Sequence, residues 1–151
     1  MTVVEEPVTS SSLYLEVQQF YARHMQLLDS GRAGEWAETF TEDAVFAPEH
    51  APEPTVGRAA LAAAVQRSHE KLVADGEVRR HWHGMVDVAP GPDGTLRVRC
   101  YALIVGTRVG GTPGLLMSCV CEDVMVRDGD GGLLVRERRV TKDGVAAPVL
   151  P

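Results

Sequence analysis

The stretch Glu77–Ala89, EVRRHWHGMVDVA, marks a change of period in the chain. Before it, apolar residues recur every three or four positions; from it onward they alternate, and alternation is the mark of a half-buried strand. Three further alternating runs follow, at about 95–107, 114–127 and 132–141. The segments between them, PGPDG, GGTPG and DGDGG, have the Gly/Pro/Asp chemistry of tight hairpin turns. The spacing therefore predicts four long antiparallel strands in a meander. Side chains alternate across a strand, so Arg79, His81, His83, Met85 and Asp87 are expected on one face and Val78, Arg80, Trp82, Val86 and Val88 on the other. Two imidazoles then project together, and imidazole is the side chain that titrates near neutral pH without help.

Upstream, Leu13, Val17, Phe20, Tyr21, His24, Leu27 and Leu28 lie at helical spacing, with serines to cap the start and Gly31 to end the pattern. The last turn carries Asp29. A short second helix is expected over Gly34–Phe40 with Trp36 and Phe40 as its apolar contacts. A short strand follows at 43–47, then a Pro-rich, lid-like loop, PEHAPEPTVG. Thr55 is read as the cap of a third helix from Gly57 to Leu72, whose stripe is Leu61, Val65, His69 and Leu72; His69 reads most simply as a surface residue. Helices followed by a meander give an α+β class, a curved antiparallel sheet wrapped over N-terminal helices. The space between sheet and helices is the default ligand cavity.

The chain has 151 residues, of which 44% are apolar and 24% charged, which suits one globular domain large enough to need no staple. We divide it into a flexible tail at 1–10, a folded domain at 11–143 and a second tail at 144–151. A net charge of −6 argues against nucleic-acid and anionic-membrane surfaces. The opening MTVVEEPVTSSS lacks the basic start and apolar run of a secretory signal, so a cytoplasmic location is expected. Cys100, Cys119 and Cys121 form no CxxC pair and read as buried thiols. No metal and no cofactor are expected from their spacing.

Five segments, FYARHMQLLDSGRAGEWAETFTEDAVF, VGRAAL, RRHWHGMVDV, CEDVMVRDGDGG and RERRV, resemble the SnoaL-like branch of the nuclear-transport-factor-2-like (NTF2-like) superfamily over about residues 13–143. The resemblance implies a cone-shaped barrel and a homodimer. Among its members, scytalone dehydratase has an aspartate at the end of the first helix, matched by Asp29, and a pocket histidine early in the first long strand, matched by His81. Its second histidine is replaced here by Thr107, with His83 as a substitute. The base of ketosteroid isomerase falls near Pro48, which cannot titrate. Asp123 with Arg138 or Arg139 imitates part of the epoxide hydrolase arrangement, but reads more simply as a cross-strand ion pair.

The resemblance implies a cofactor-independent polyketide cyclase or dehydratase acting on a hydrophobic polycyclic or polyketide-derived molecule in bacterial secondary metabolism. A non-catalytic binding module is the other class open to this fold. His81, Asp29 and His83 are the candidate catalytic residues. Tyr21, His24, Trp36, Phe40, Met85, Tyr101 and Thr107 are the candidate cavity residues, with Trp36 read foremost as an apolar plug and Met85 as a filler of an irregular core. Trp82, facing away from His81, is left for packing or a subunit interface.

Overall fold

The computed structural model describes residues 10–49 and 51–145. The expectations for both terminal tails fall largely outside those residues. The order is helix α1 (Ser11–Asp29), helix α2 (Ala33–Ala37), strand β1 (Phe40–Pro48), strand β2 (Thr55–Val56), helix α3 (Arg58–Asp75), then strands β3 (Glu77–Pro90), β4 (Leu96–Arg108), β5 (Gly114–Arg127) and β6 (Leu133–Lys142). The class is α+β, as the periodicity implies. The six strands form one sheet in the order β2-β1-β6-β5-β4-β3.

The meander from β3 to β6 pairs antiparallel throughout. Sequence alone did not provide the other half of the sheet. β1 begins at Phe40 rather than 43, so α2 is shorter than expected, and it pairs parallel to β6. Parallel partners distant in sequence leave no local turn signal. β2 hydrogen-bonds to β1 through Val45 with Val56 and Phe46 with Thr55, so Thr55 is a strand residue. The α3 cap position is Gly57, at φ +90° with no side-chain cap bond. At α1 the cap is as expected in kind: the Ser10 hydroxyl accepts from the Leu13 amide at 3.2 Å, meeting one of the helix's orphan donors.

Val17, Tyr21, Leu27 and Trp36 from the helices pack with Phe40, Val98, Cys100, Met125 and Val135 of the sheet in one core. Gly31 joins the two long helices. It has φ +72°, and a Cβ there would run into the His69 ring of α3, so only glycine meets both demands.

A bulge in β3 changes the predicted faces. The register shifts between Gly84 and Asp87, and Met85 sits at φ +52° with 81% of its surface exposed. One extra residue reverses the alternation: His81 and His83 face inward before the bulge, while Val86 and Val88 are buried after it. Met85 and Asp87 therefore do not share the histidine face, and Met85 fills no core. A non-glycine residue held in the left-handed region is strained by about 1–2 kcal/mol, and exposed Met85 has little packing to lose. Met85→Gly is thus expected to leave the midpoint of urea unfolding unchanged or raised. A loss above ~1 kcal/mol, the usual cost of glycine within an element, would contradict this account of the bulge.

Candidate active site

The geometry starts from one buried ion pair. Asp123 on β5 lies opposite Arg138 on β6, both inward and at 2% and 3% exposure. The guanidinium donates twice, from Nε to Oδ1 and from Nη2 to Oδ2, each at 2.8 Å. This is the cross-strand pair expected from sequence, placed in the interior. Tyr21 of α1 donates its hydroxyl to Oδ2 at 2.7 Å. Arg138 Nη1 meets His24 Nε2 at 2.9 Å, and a guanidinium can only donate, so Nε2 is bare and the His24 proton is on Nδ1. That nitrogen lies 2.7 Å from the Thr39 hydroxyl, which in turn donates to the Trp36 carbonyl at 2.6 Å. The chain of bonds joins two strands, α1, and the end of α2.

The charge states follow. Burial pushes the Asp123 carboxyl up, but the charge and hydrogen bonds of Arg138, helped by Tyr21, outweigh it and hold it below the usual carboxylate range. Burial likewise opposes the Arg138 charge, and Asp123 outweighs it, raising the guanidinium further. Burial and then Asp123 push the Tyr21 hydroxyl well up. Burial and then the Arg138 charge keep His24 neutral, well below its usual range.

Above this network lies a cavity of about 450 Å³, walled by the end of α1, by α3 and by the inner face of the sheet. Its lining is mainly apolar, with Leu61, Val65, Ile104 and Met117 among the walls. At one side the C-terminal turn of α1 brings Asp29 to β3. Asp29 Oδ1 lies 2.6 Å from His81 Nδ1, and Oδ2 accepts the His81 backbone N–H at 3.1 Å. A carboxylate with two bonds to one residue fixes both the ring's place and its tautomer: Nδ1 carries the proton and Nε2 is left as the basic nitrogen.

The other expected site residues divide into three groups. His83 and Trp36 line the same cavity. Tyr21, His24 and Phe40 are buried beside it, in the network and in an aromatic cluster where Trp36 meets His24 at 5.6 Å and Phe40 at 4.7 Å between centroids. Met85, Tyr101 and Thr107 are corrected: none lines the cavity. Tyr101 is 49% exposed on the outer face with the Arg99 guanidinium 5.8 Å over its ring. Thr107 pairs with half-exposed Val78; the inward positions of β4 opposite His83 and His81 are Ala102 and Ile104.

Among the lining residues that the sequence reading left out are His69 and Arg138. His69 does line the cavity, and its place in the stripe Leu61, Val65, His69, Leu72 was the available signal. Arg138 also lines it, but RERRV by itself does not say which arginine turns inward. Among the described residues, Trp36 Nε1 is the buried side-chain polar atom without a hydrogen-bond partner. The three cysteines are buried and unpaired. Cys121 lies 3.4 Å from Asp123 Oδ1 and Cys100 lies 3.6 Å from His83 Nδ1. A hydrogen bond from Cys121, against burial and with His83 assisting, holds the Cys100 thiol down to about 5. The Cys121 thiol, as donor and buried, is pushed up.

Fold and cavity together define an α+β protein with a curved sheet wrapped around an internal cavity, and comparison makes the class specific. The SnoaL-like domain family matches residues 9–139, and the chain belongs to that family. Among solved structures, ActVI-ORFA from Streptomyces coelicolor is 34% identical with a TM-score of 0.85, covering 91% of this chain and 100% of its own. Aln2 from another Streptomyces species is 33% identical at TM-score 0.81, covering 91% and 95%. A Catenulispora acidiphila protein in complex with S-DNPA is 37% identical at TM-score 0.79, covering 89% and 96%. No curated protein matches the chain in sequence. Among the described residues, no helix is long and apolar enough to cross a membrane.

Two stability predictions follow from the network. Asp123→Asn is expected to cost about 3–5 kcal/mol in urea unfolding, because it leaves the Arg138 charge buried without its counterion. For pH, His24 is neutral in the fold with its pKa depressed, so its contribution is fully present above the unfolded value near 6.5 and is lost as pH falls toward the folded value. As pH falls below about 6.5 this contribution falls, by at most about 1.4 kcal/mol per pH unit. His24→Gln, which can still accept from Arg138, is expected to reduce the slope of stability against pH in that window; an unchanged slope would refute the assignment.

Proposed function

We propose that this chain is a cyclase or dehydratase that moves protons on an aromatic, polyketide-type intermediate, with Asp29 and His81 as one acid–base unit. The observation that carries the reading is the Asp29–His81 couple at 2.6 Å opening onto a mainly apolar cavity of about 450 Å³. In the mechanism, His81 Nε2 takes a proton from carbon next to a carbonyl or, once charged, protonates a departing hydroxyl. Asp29 holds the ring and compensates the imidazolium. Developing charge on the carbonyl oxygen needs a donor nearby, and His83 or the unpartnered Trp36 N–H supplies one. These steps serve both dehydration and aldol ring closure, and none of them calls for a cofactor.

The substrate class is supported by membership in the SnoaL-like family, and the S-DNPA complex of the Catenulispora relative supports a small organic ligand. As a second part of the reading, the outer face of the sheet pairs two copies of the chain. Trp82, 71% exposed, and half-exposed Tyr101 lie there, and apolar area of that kind favours burial. Trp82→Lys is expected to shift sedimentation from dimer to monomer; a wild-type monomer at micromolar concentration would end this part of the proposal.

The test of catalysis is kinetic. His81→Ala is expected to lower kcat on an aromatic polyketide intermediate by ~10²–10⁴, the usual share of general acid–base catalysis. Asp29→Asn should act comparably, and the double variant should be no slower than the worse single one, since either loss disables the same proton transfer. Native turnover by folded His81→Ala would sink the mechanism, and strict additivity would dissolve the pair.

A further inference from the structure

A second group of reactive side chains borders the same cavity, with His83 and Cys121 on its lining and Cys100 buried beside them. His83, Cys100 and Cys121 come from three adjacent strands, β3, β4 and β5, and all point to the inner face. Cys100 stands directly opposite Cys121 in the β4–β5 register, and His83 opposite Ala102, two residues along from Cys100. One ligand atom from each residue lies within 4.8 Å of the other two. The two cysteines are each 1% exposed and neither is in a disulfide. Sequence spacing hides this group, because residues 83, 100 and 121 are united only by strand register.

The donor set, one imidazole nitrogen and two sulfurs, suits zinc, which prefers nitrogen and thiolate ligands in a tetrahedron. With Zn–S near 2.3 Å and Zn–N near 2.0–2.1 Å, adjacent nitrogen and sulfur corners are about 3.6 Å apart. His83 Nδ1 and Cys100 Sγ are 3.6 Å apart. His83 and Cys121 line the cavity, so the fourth corner faces the space a small molecule would enter. Three protein ligands with one open position is the pattern of zinc sites that bind or activate a ligand.

Metal entry requires both sulfurs as thiolates. Cys121 then gives up its bond to Asp123 Oδ1. That oxygen is not orphaned, because Arg138 Nε still donates to it at 2.8 Å, and the guanidinium charge lies beside the new thiolates. The protein already holds the surrounding groups in place. We propose that His83, Cys100 and Cys121 form a three-ligand Zn²⁺ site on the cavity wall, with its fourth position open to a water or to an oxygen of a bound small molecule. The site goes beyond the acid–base reading and does not rest on it.

The test uses the full chain, reduced and kept free of oxygen, titrated with Co²⁺ as a spectroscopic stand-in for zinc. One Co²⁺ per chain is expected, with a thiolate-to-cobalt charge-transfer band and tetrahedral visible absorption, both bleached by Zn²⁺. Cys100→Ser, Cys121→Ser and His83→Ala are each expected to weaken Zn²⁺ binding by at least about 100-fold, the upper end of what loss of an outer-shell partner costs. Cys119→Ser changes a cysteine that lines the same cavity outside the group, and should leave binding unchanged. Far-ultraviolet circular dichroism reports whether each variant is folded, and the wild-type titration stands whatever the variants do. A natively folded wild type without the charge-transfer band overturns the proposal. So does a band retained in folded Cys100→Ser, or a chain that forms a Cys100–Cys121 disulfide in air yet binds no Co²⁺ when reduced. Since binding is read by absorption, loss of turnover at Asp29 or His81 leaves this result standing.

Discussion

The Asp123–Arg138 pair is the interaction on which the rest of the molecule depends. Two full charges in the interior are tolerated only when their remaining hydrogen-bonding capacity is met. Here Tyr21 and His24, one helical turn apart on α1, meet it. The pair thus decides where α1 sits against the sheet, and through Thr39 and Trp36 it also fixes the start of β1. With α1 anchored at Tyr21 and His24, its last residue, Asp29, is delivered to β3 at the height of His81. The Asp29–His81 couple joins β3 to the far end of a helix whose middle is held by a salt bridge.

β3 divides two tasks. Its first half faces His81 and His83 into the cavity, and its second half buries Val86 and Val88 in the core. A regular strand could not put histidines 81 and 83 and valines 86 and 88 on the same side, since odd and even positions face opposite ways. The bulge at Met85 makes this possible, and the left-handed backbone there is the strain it requires. The histidine side of the cavity and part of the core are therefore built from one continuous strand.

Much of this was legible in the sequence because it rests on local period. The long first helix, the four-strand meander and the α+β class follow from spacing, and the SnoaL-like resemblance singled out Asp29 and His81, which the fold brings together at one cavity. The parallel pairing of β1 with β6 was not legible, because it joins residues some ninety positions apart with no turn between them. Met85, Tyr101 and Thr107 were misplaced for a related reason: face assignment is a parity count, and one bulge or one uncertain hairpin register reverses it. His69 was visible in its helical stripe but was read by residue type, as a polar surface group, when its ring packs over Gly31. The cluster of His83, Cys100 and Cys121 exists only in register.

The proposed catalysis by the couple turns on Asp29 fixing the tautomer of His81, so that Nε2 is the free base in the cavity. Long-range ¹H–¹⁵N NMR of the imidazole rings, recorded where His81 is neutral, measures this directly. The expected spectrum has His81 protonated at Nδ1 and bare at Nε2, with a downfield Nδ1 proton that reflects the 2.6 Å bond, and the preference is lost in Asp29→Asn. A His81 ring protonated at Nε2 in the wild-type protein, or one whose tautomer is indifferent to Asp29→Asn, would contradict it.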